Sequence, residues 1–229
     1  MVAVKTKSQA QSFFSAEEQK RICDTVHSAE LKTSGELVPM IMSESHSYPM
    51  AAVRGGVFIA LITALLLTSP IAEMFWLEPG NLWVFLSLFF PLFCIAHFTI
   101  NRSYKLKRWF LFNDEMDAEV QNAALTSFFT ERLYKTRDEN GILIFISLLE
   151  HRAWVLADSG INERIPHEQW QEAVSIITRG IHEKKQCDAL CQAIEMIGDI
   201  LEKEFPVRKD DTNELSNLII HDLHNLVIR

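Results

Sequence analysis

Apolar positions along the chain follow two regimes. From Gly55 to Ala72 there are 18 residues without Lys, Arg, Asp or Glu, and Pro79 to Asn101 adds 23 more. Crossing a hydrocarbon core of about 30 Å takes about 20 apolar residues at 1.5 Å per residue. The pattern therefore predicts transmembrane helices over 55–77 and 80–101. In charge terms only Glu73 and Glu78 separate the two runs, so the spans form a hairpin and the rest of the chain lies on one side of the bilayer. A chain of 229 residues has little capacity to enclose two such segments as ordinary core helices.

The flanking regions carry shorter, amphipathic periods. Ser15-Ala-Glu-Glu18 reads as a capping box, and Ile22, Val26 and Ala29 continue at helical spacing to about Lys32. Glu36 to Ser43 reads as a strand, with Pro39 suggesting an edge or bulge position. Asp117 to Lys135 is predicted helical, its apolar stripe formed by Val120, Ala124, Phe128, Phe129 and Leu133. Ile142 to Leu149 is a continuous apolar run of strand length, the signature of burial on both faces. Glu150, His151 and Arg152 make a polar turn into a second strand, Ala153 to Ala157, so the pair is a β-hairpin. Asp158 to Ile161 reads as a loop, Pro166 opens a helix, and Cys187 to Phe205 is a further helix stopped by Pro206. The tail repeats Leu215, Leu218, Ile219, Leu223, Leu226 and Val227 after an Asn213 cap, an amphipathic pattern that predicts a surface-binding or packing segment.

Charge settles orientation. Arg54 precedes the first run and Arg102, Lys105, Lys107 and Arg108 follow the second, whereas the turn between them has two Glu and no base. Basic flanks stay cytoplasmic, so both termini are expected there. No cleavable signal peptide is expected, because residues 1–12 are polar and lack an apolar core region. Residues 109–229 hold 12 basic against 22 acidic side chains, the wrong sign for a nucleic-acid binder. The short basic stretch beside the membrane suits anionic lipid headgroups. Four Cys in such a protein argue against a disulfide framework, and Cys187 and Cys191 read as buried thiols rather than a metal or redox pair.

Three segments together resemble the TPM domain family, named after a thylakoid-lumen protein, a photosystem II repair protein and a receptor modulator. They are Glu30-Leu-Lys-Thr-Ser-Gly-Glu36, Asn140-Gly-Ile-Leu-Ile-Phe-Ile146, and Glu150-His-Arg-Ala-Trp-Val-Leu-Ala-Asp-Ser-Gly-Ile161. The similarity covers roughly residues 13–48 and 109–206 and looks most like bacterial membrane proteins with the hairpin inserted after the first strand. It implies an α/β sandwich, a small mixed sheet with helices on both faces. The expected organisation is a polar segment 1–12, a domain in two parts (13–48 and 109–206), the spans 55–77 and 80–101, and a tail 207–229. Among TPM-like proteins some are metal-binding with slow acid-phosphatase activity, and others assist assembly or repair of membrane complexes. In many the domain lies outside the cytoplasm, where calcium is plentiful; the charge bias here places it inside.

Hydrolysis of a phosphate ester needs clustered carboxylates for a divalent ion and donors for the phosphate oxygens. Glu30, Glu36, Asp158 and Glu163 are the candidate ligands for Ca²⁺ or Mg²⁺, since they flank turns that a sandwich can bring together. No Walker loop, Cys-x5-Arg or His-x-Glu-x-x-His arrangement accompanies them. His221 and His224, three residues apart, read as a solvated helix face. Two functions are therefore expected to compete: a non-enzymatic interaction module for a membrane-protein complex, and a weak metal-dependent hydrolase. Partner and oligomeric state are not encoded in the pattern, although Ala51, Ala52, Gly55, Gly56, Ala60 and Ala64 permit close helix approach.

Overall fold

The computed structural model describes residues 9–137, 139–207 and 215–221. In chain order these form helices α1 (Gln9–Phe13) and α2 (Ala16–Glu30), strand β1 (Glu36–Met42), and helices α3 (Pro49–Met74), α4 (Leu82–Arg102), α5 (Tyr104–Trp109) and α6 (Asn113–Thr130). Strands β2 (Gly141–Ser147) and β3 (Arg152–Ala157) follow, then α7 (Ser159–Asn162), α8 (His167–His182), α9 (Gln186–Glu204) and β4 (Ile219–His221). They fall into two units: residues 47–116, and residues 1–46 together with 117–229.

The larger unit is the expected sandwich. Its sheet has the order β3-β2-β1-β4, with β1 parallel to β2 and β4 and β2 antiparallel to β3. Strand residues alternate between faces. Leu37, Ile41, Ile142, Ile144 and Ile146 join one core with Ile22, Val26, Trp170, Ile177, Ile194 and Ile197 of α2, α8 and α9. Val38, Met40, Met42, Leu143 and Phe145 join the other with Val120, Ala124 and Phe128 of α6 and with Leu133. All seven residues of β2 are buried, as its continuous apolar run predicts for a central strand. The Ser15–Glu18 capping box forms in both directions, at 3.2 Å and 2.8 Å.

Four local readings are corrected. Pro39 sits in an interior strand, not at an edge. The Glu36 N–H donates to the Asn140 carbonyl at 3.1 Å, so even-numbered residues of β1 face β2 and Pro39 faces the opposite side. There β4 pairs only with Met40 to Met42, so the missing N–H of Pro39 costs no ladder bond. Phe129 is 55% exposed, because α6 turns it away from the stripe that Phe128 completes. Asp158 to Ile161 is not an open loop, since Asp158 caps α7 by accepting the Ser159 N–H at 2.7 Å. The tail contains a strand where an amphipathic helix was expected. Ile219 to His221 pairs with β1, because the open side of that strand offers unpaired backbone groups that local helical periodicity cannot satisfy. Asn213, Leu223, Leu226 and Val227 lie outside the described residues, as do residues 1–8; Gln9–Phe13 of the expected polar segment is helical and Ala10 is buried.

In the smaller unit, α3 and α4 are 26 and 21 residues long, each long and apolar enough to cross a bilayer. Their bounds differ from the expected spans mainly at the start of α3, where Pro49 occupies the first helical turn. Pro70 and Pro91 are accommodated inside the helices. The small residues Ala51, Ala52, Gly55, Gly56, Ala60 and Ala64 are all buried. A Cβ on Gly55 would lie 2.6 Å from Ile100 and Phe110, and one on Gly56 would meet Phe93 at 3.1 Å, so this stripe is used by the hairpin itself. Leu66, Phe90 and Phe98 are exposed along the helices and Trp76 and Trp83 at the turn. Arg54, at the start of this unit, pairs with Glu115 at 2.6 Å and lies over the Phe112 ring.

One glycine is fixed by sterics. A Cβ at Gly141 would run into the carbonyl oxygen of Leu133. Gly141→Ala must displace that backbone and is expected to cost about 1–3 kcal/mol, read as a lower thermal midpoint of the full chain in mild detergent.

Candidate functional site

Of the four predicted carboxylates, Glu30, Glu36 and Asp158 lie at one end of the sheet, and Glu30 and Asp158 have local work there. Glu36 opens β1 opposite Gly141 of β2, and the Asp158 N–H donates to the Gly141 carbonyl at 2.9 Å. Glu36 and Asp158 thus occupy the same rung two strands apart, about 10 Å at ordinary strand spacing. Glu30 Oε1 accepts the Leu37 N–H at 3.0 Å, tying the end of α2 to the sheet. Asp158 Oδ1 is the α7 cap, while its buried Oδ2 has no hydrogen-bond partner among the described residues. Glu163 is exposed at the other end of that short helix. The neighbouring polar groups are also engaged. Asn140 Nδ2 donates to the Ser34 carbonyl, Asn140 N–H to Thr136 Oγ1 at 3.0 Å, and Ser159 Oγ to Glu139 at 3.1 Å. Among the described residues no group of three or more His, Cys, Asp or Glu side chains is arranged to hold a metal ion. A Ca²⁺ or Mg²⁺ centre does not fit this corner as it stands, and no metal-dependent step follows from it.

The opposite end of the sheet holds a carboxylate that sequence periodicity misplaced. Glu150, read as part of a polar turn, is fully buried. Its Oε1 accepts the Ser45 N–H at 2.9 Å and its Oε2 accepts the Ser147 hydroxyl, while Ser45 Oγ donates to Ser147 Oγ at 2.8 Å. Leu148 and Leu149 N–H groups donate to the Met42 and Ser43 carbonyls at 3.0 Å each. Glu150 therefore stitches the chain leaving β1 to the β2–β3 turn. The available signal was the Ser43, Ser45 and Ser147 hydroxyls at strand ends, which a buried acid needs as donors.

Two further sequence candidates resolve as packing. Cys187 and Cys191 are free and buried. Burial, reinforced by the neighbouring Cys191, pushes the Cys187 thiol up from 9.0 to about 11. His221 pairs with Glu131 at 3.1 Å, joining β4 to the end of α6. Its expected partner His224 lies outside the described residues.

No protein-family model and no curated protein matches the chain. Among solved structures, the chain is similar to the NMR structure of the BA42 protein from the psychrophilic bacterium Bizionia argentinensis sp. nov. The two share 20% sequence identity with a TM-score of 0.57, over 92% of this chain and 97% of that one. At that identity the likeness concerns the fold.

Three outcomes follow. Glu150→Ala strands the Ser45 N–H and the Ser147 hydroxyl in a dry site and is expected to cost roughly 2–5 kcal/mol, measured by chemical denaturation. Asp158→Ala removes only a cap, about 1 kcal/mol, and calcium at millimolar concentration is expected to leave the melting temperature of either form unchanged. The Cys187 contribution has a definite sign. A thiol held neutral in the folded state favours folding fully below pH 9, where the unfolded thiol is also neutral. That share is lost as pH rises from 9.0 toward about 11. Cys187→Ala should flatten this alkaline loss in a pH series of unfolding free energies.

Proposed function

We propose that the chain is a membrane-tethered, non-enzymatic accessory module for a membrane-protein complex, built on a TPM-like domain that faces the cytoplasm of a bacterial inner membrane. One observation carries this reading. Both cores of the sandwich are made entirely of residues outside 47–116, so the apolar hairpin inserted between β1 and β2 contributes nothing to either core. Two helices of 26 and 21 residues, dispensable to the cores of the domain that carries them, are best explained by placement at a bilayer. The spans contain no Asp, Glu, Lys or Arg between Gly55 and Ala72 or between Leu82 and Asn101, which suits an anchor better than an ion or proton path. The bases at 102, 105, 107 and 108 support the cytoplasmic orientation through the positive-inside bias. The three TPM-like segments support the accessory role, because helping membrane complexes assemble is one activity that the resemblance implies. A hydrolase reading has less to draw on, since Glu30 and Asp158 are each engaged by a backbone N–H.

Affinity recovery of the full chain in mild detergent is expected to bring down a defined membrane protein in constant ratio; repeated recovery of the chain alone would overturn the proposal. A reporter fused after Arg229 is expected to be active only in a cytoplasmic form, and periplasmic activity would reverse the orientation.

A further inference from the structure

We infer that the groove between β3 and α8 is a docking site for an extended acidic-apolar peptide segment of a partner protein, which adds to the sheet at Val155. The inference rests on the accessory-module reading and names the surface that such a module would use.

The groove has a volume of about 720 Å³, within the usual range of ligand sites. Trp154 and Val155 line it from β3, and Trp170, Val174, Thr178 and Arg179 from α8. β3 is an edge strand, and the Asp158–Gly141 bond sets which of its backbone groups point inward. Residue 158 bonds toward β2, so residues 156, 154 and 152 do as well, while Ala153, Val155 and Ala157 present N–H and C=O outward. Ala157 is closed off, because its carbonyl accepts from Asn162 Nδ2 at 2.6 Å. Ala153 is buried. Val155 alone is half-exposed, and among the described residues no backbone bond engages its outward pair. An open rung of this kind beside an apolar slot is the arrangement by which an extended peptide gains backbone bonds from a sheet edge and specificity from side-chain pockets.

The groove selects the chemistry of its occupant. Trp170, which is 4% exposed, and Val174 give the groove an apolar wall. At the rim stand Arg152, Arg179 and His182 against a single acid, Glu183, although residues 109–229 as a whole carry 12 bases and 22 acids. Arg152 is held by Asp117 at 2.7 Å, and the His182 ring lies 5.7 Å from that of His151. Arg179 is exposed and, among the described residues, forms no ion pair. A segment with an apolar side chain beside a carboxylate would seat the first against Trp170 and Val174 and place the second at Arg179.

The probe is an array of acetylated heptapeptides, Thr-Val and Val-Thr flanking three positions that sample all residues, incubated with the full chain in mild detergent. Wild type is expected to enrich an apolar residue next to Asp or Glu. Arg179→Glu should reverse the preference to Lys or Arg and weaken the acidic peptides at least about tenfold. Val155→Pro removes the outward N–H on an edge strand, where proline is tolerated, and some packing against the core. It should abolish enrichment, whereas Val155→Ala, which loses the packing and keeps the N–H, should retain it. Absence of any enriched motif, or the same motif retained by both Arg179→Glu and Val155→Pro, would overturn the inference, as would binding of decanoate without any peptide. Affinity recovery with the same two variants separates the two readings. A complex recovered equally by wild type, Arg179→Glu and Val155→Pro sinks the groove and leaves the module; a wild type that recovers nothing sinks the module.

Discussion

The parallel pairing of β1 with β2 is the constraint on which the rest of the molecule depends. Seven rungs, Glu36 with Gly141 through Met42 with Ser147, join two strands that are distant in sequence. Parallel neighbours always require a crossover connection; in this chain the crossover also contains the apolar hairpin. A connection of that length is tolerable because loop-closure entropy grows only with the logarithm of loop length. The strands must nevertheless find each other, and their uniform apolar character supplies the drive. Every residue of both is buried, and the faces feed two separate cores.

That pairing explains where the polar groups went. Each end of the central strands has backbone donors and acceptors that the ladder does not use, and buried ones must be satisfied. At one end Glu30, Asn140 and Asp158 take them up; at the other, Glu150 with Ser45 and Ser147 does so. Of the carboxylates that looked like ligands in the sequence, Glu30 and Asp158 close a strand end and a helix cap. On the outer side of β3 and the adjoining face of α8, apolar area, an open backbone rung and a guanidinium that forms no ion pair among the described residues coincide.

The hairpin and the sandwich divide the work accordingly. The small residues of α3 are consumed by α4, leaving Leu, Phe and Trp side chains on the outside of the pair. Such a hairpin has good internal packing and an apolar exterior, and each of its helices is long and apolar enough to cross a bilayer. The sandwich keeps its own closed cores.

The sequence by itself determined the elements whose signal is local or long. The two apolar runs, the Ser15 capping box, the doubly buried β2, the β2–β3 hairpin and the helices opened by Pro166 and closed by Pro206 could be read from spacing, because burial and capping impose fixed periods. Tertiary structure alone decided what depends on neighbours distant in the chain. It placed Pro39 in an interior strand, since only the short reach of β4 leaves that position unpaired. It made Ile219 to His221 a strand, because β1 had an open side to fill. It buried Glu150, whose partners lie up to 105 residues away. It assembled the groove from a hairpin strand and a helix, each of which is unremarkable alone. Hydrogen-bond partners and cavity walls are pairwise properties of the folded chain, and a one-dimensional pattern of apolar and polar residues does not contain them.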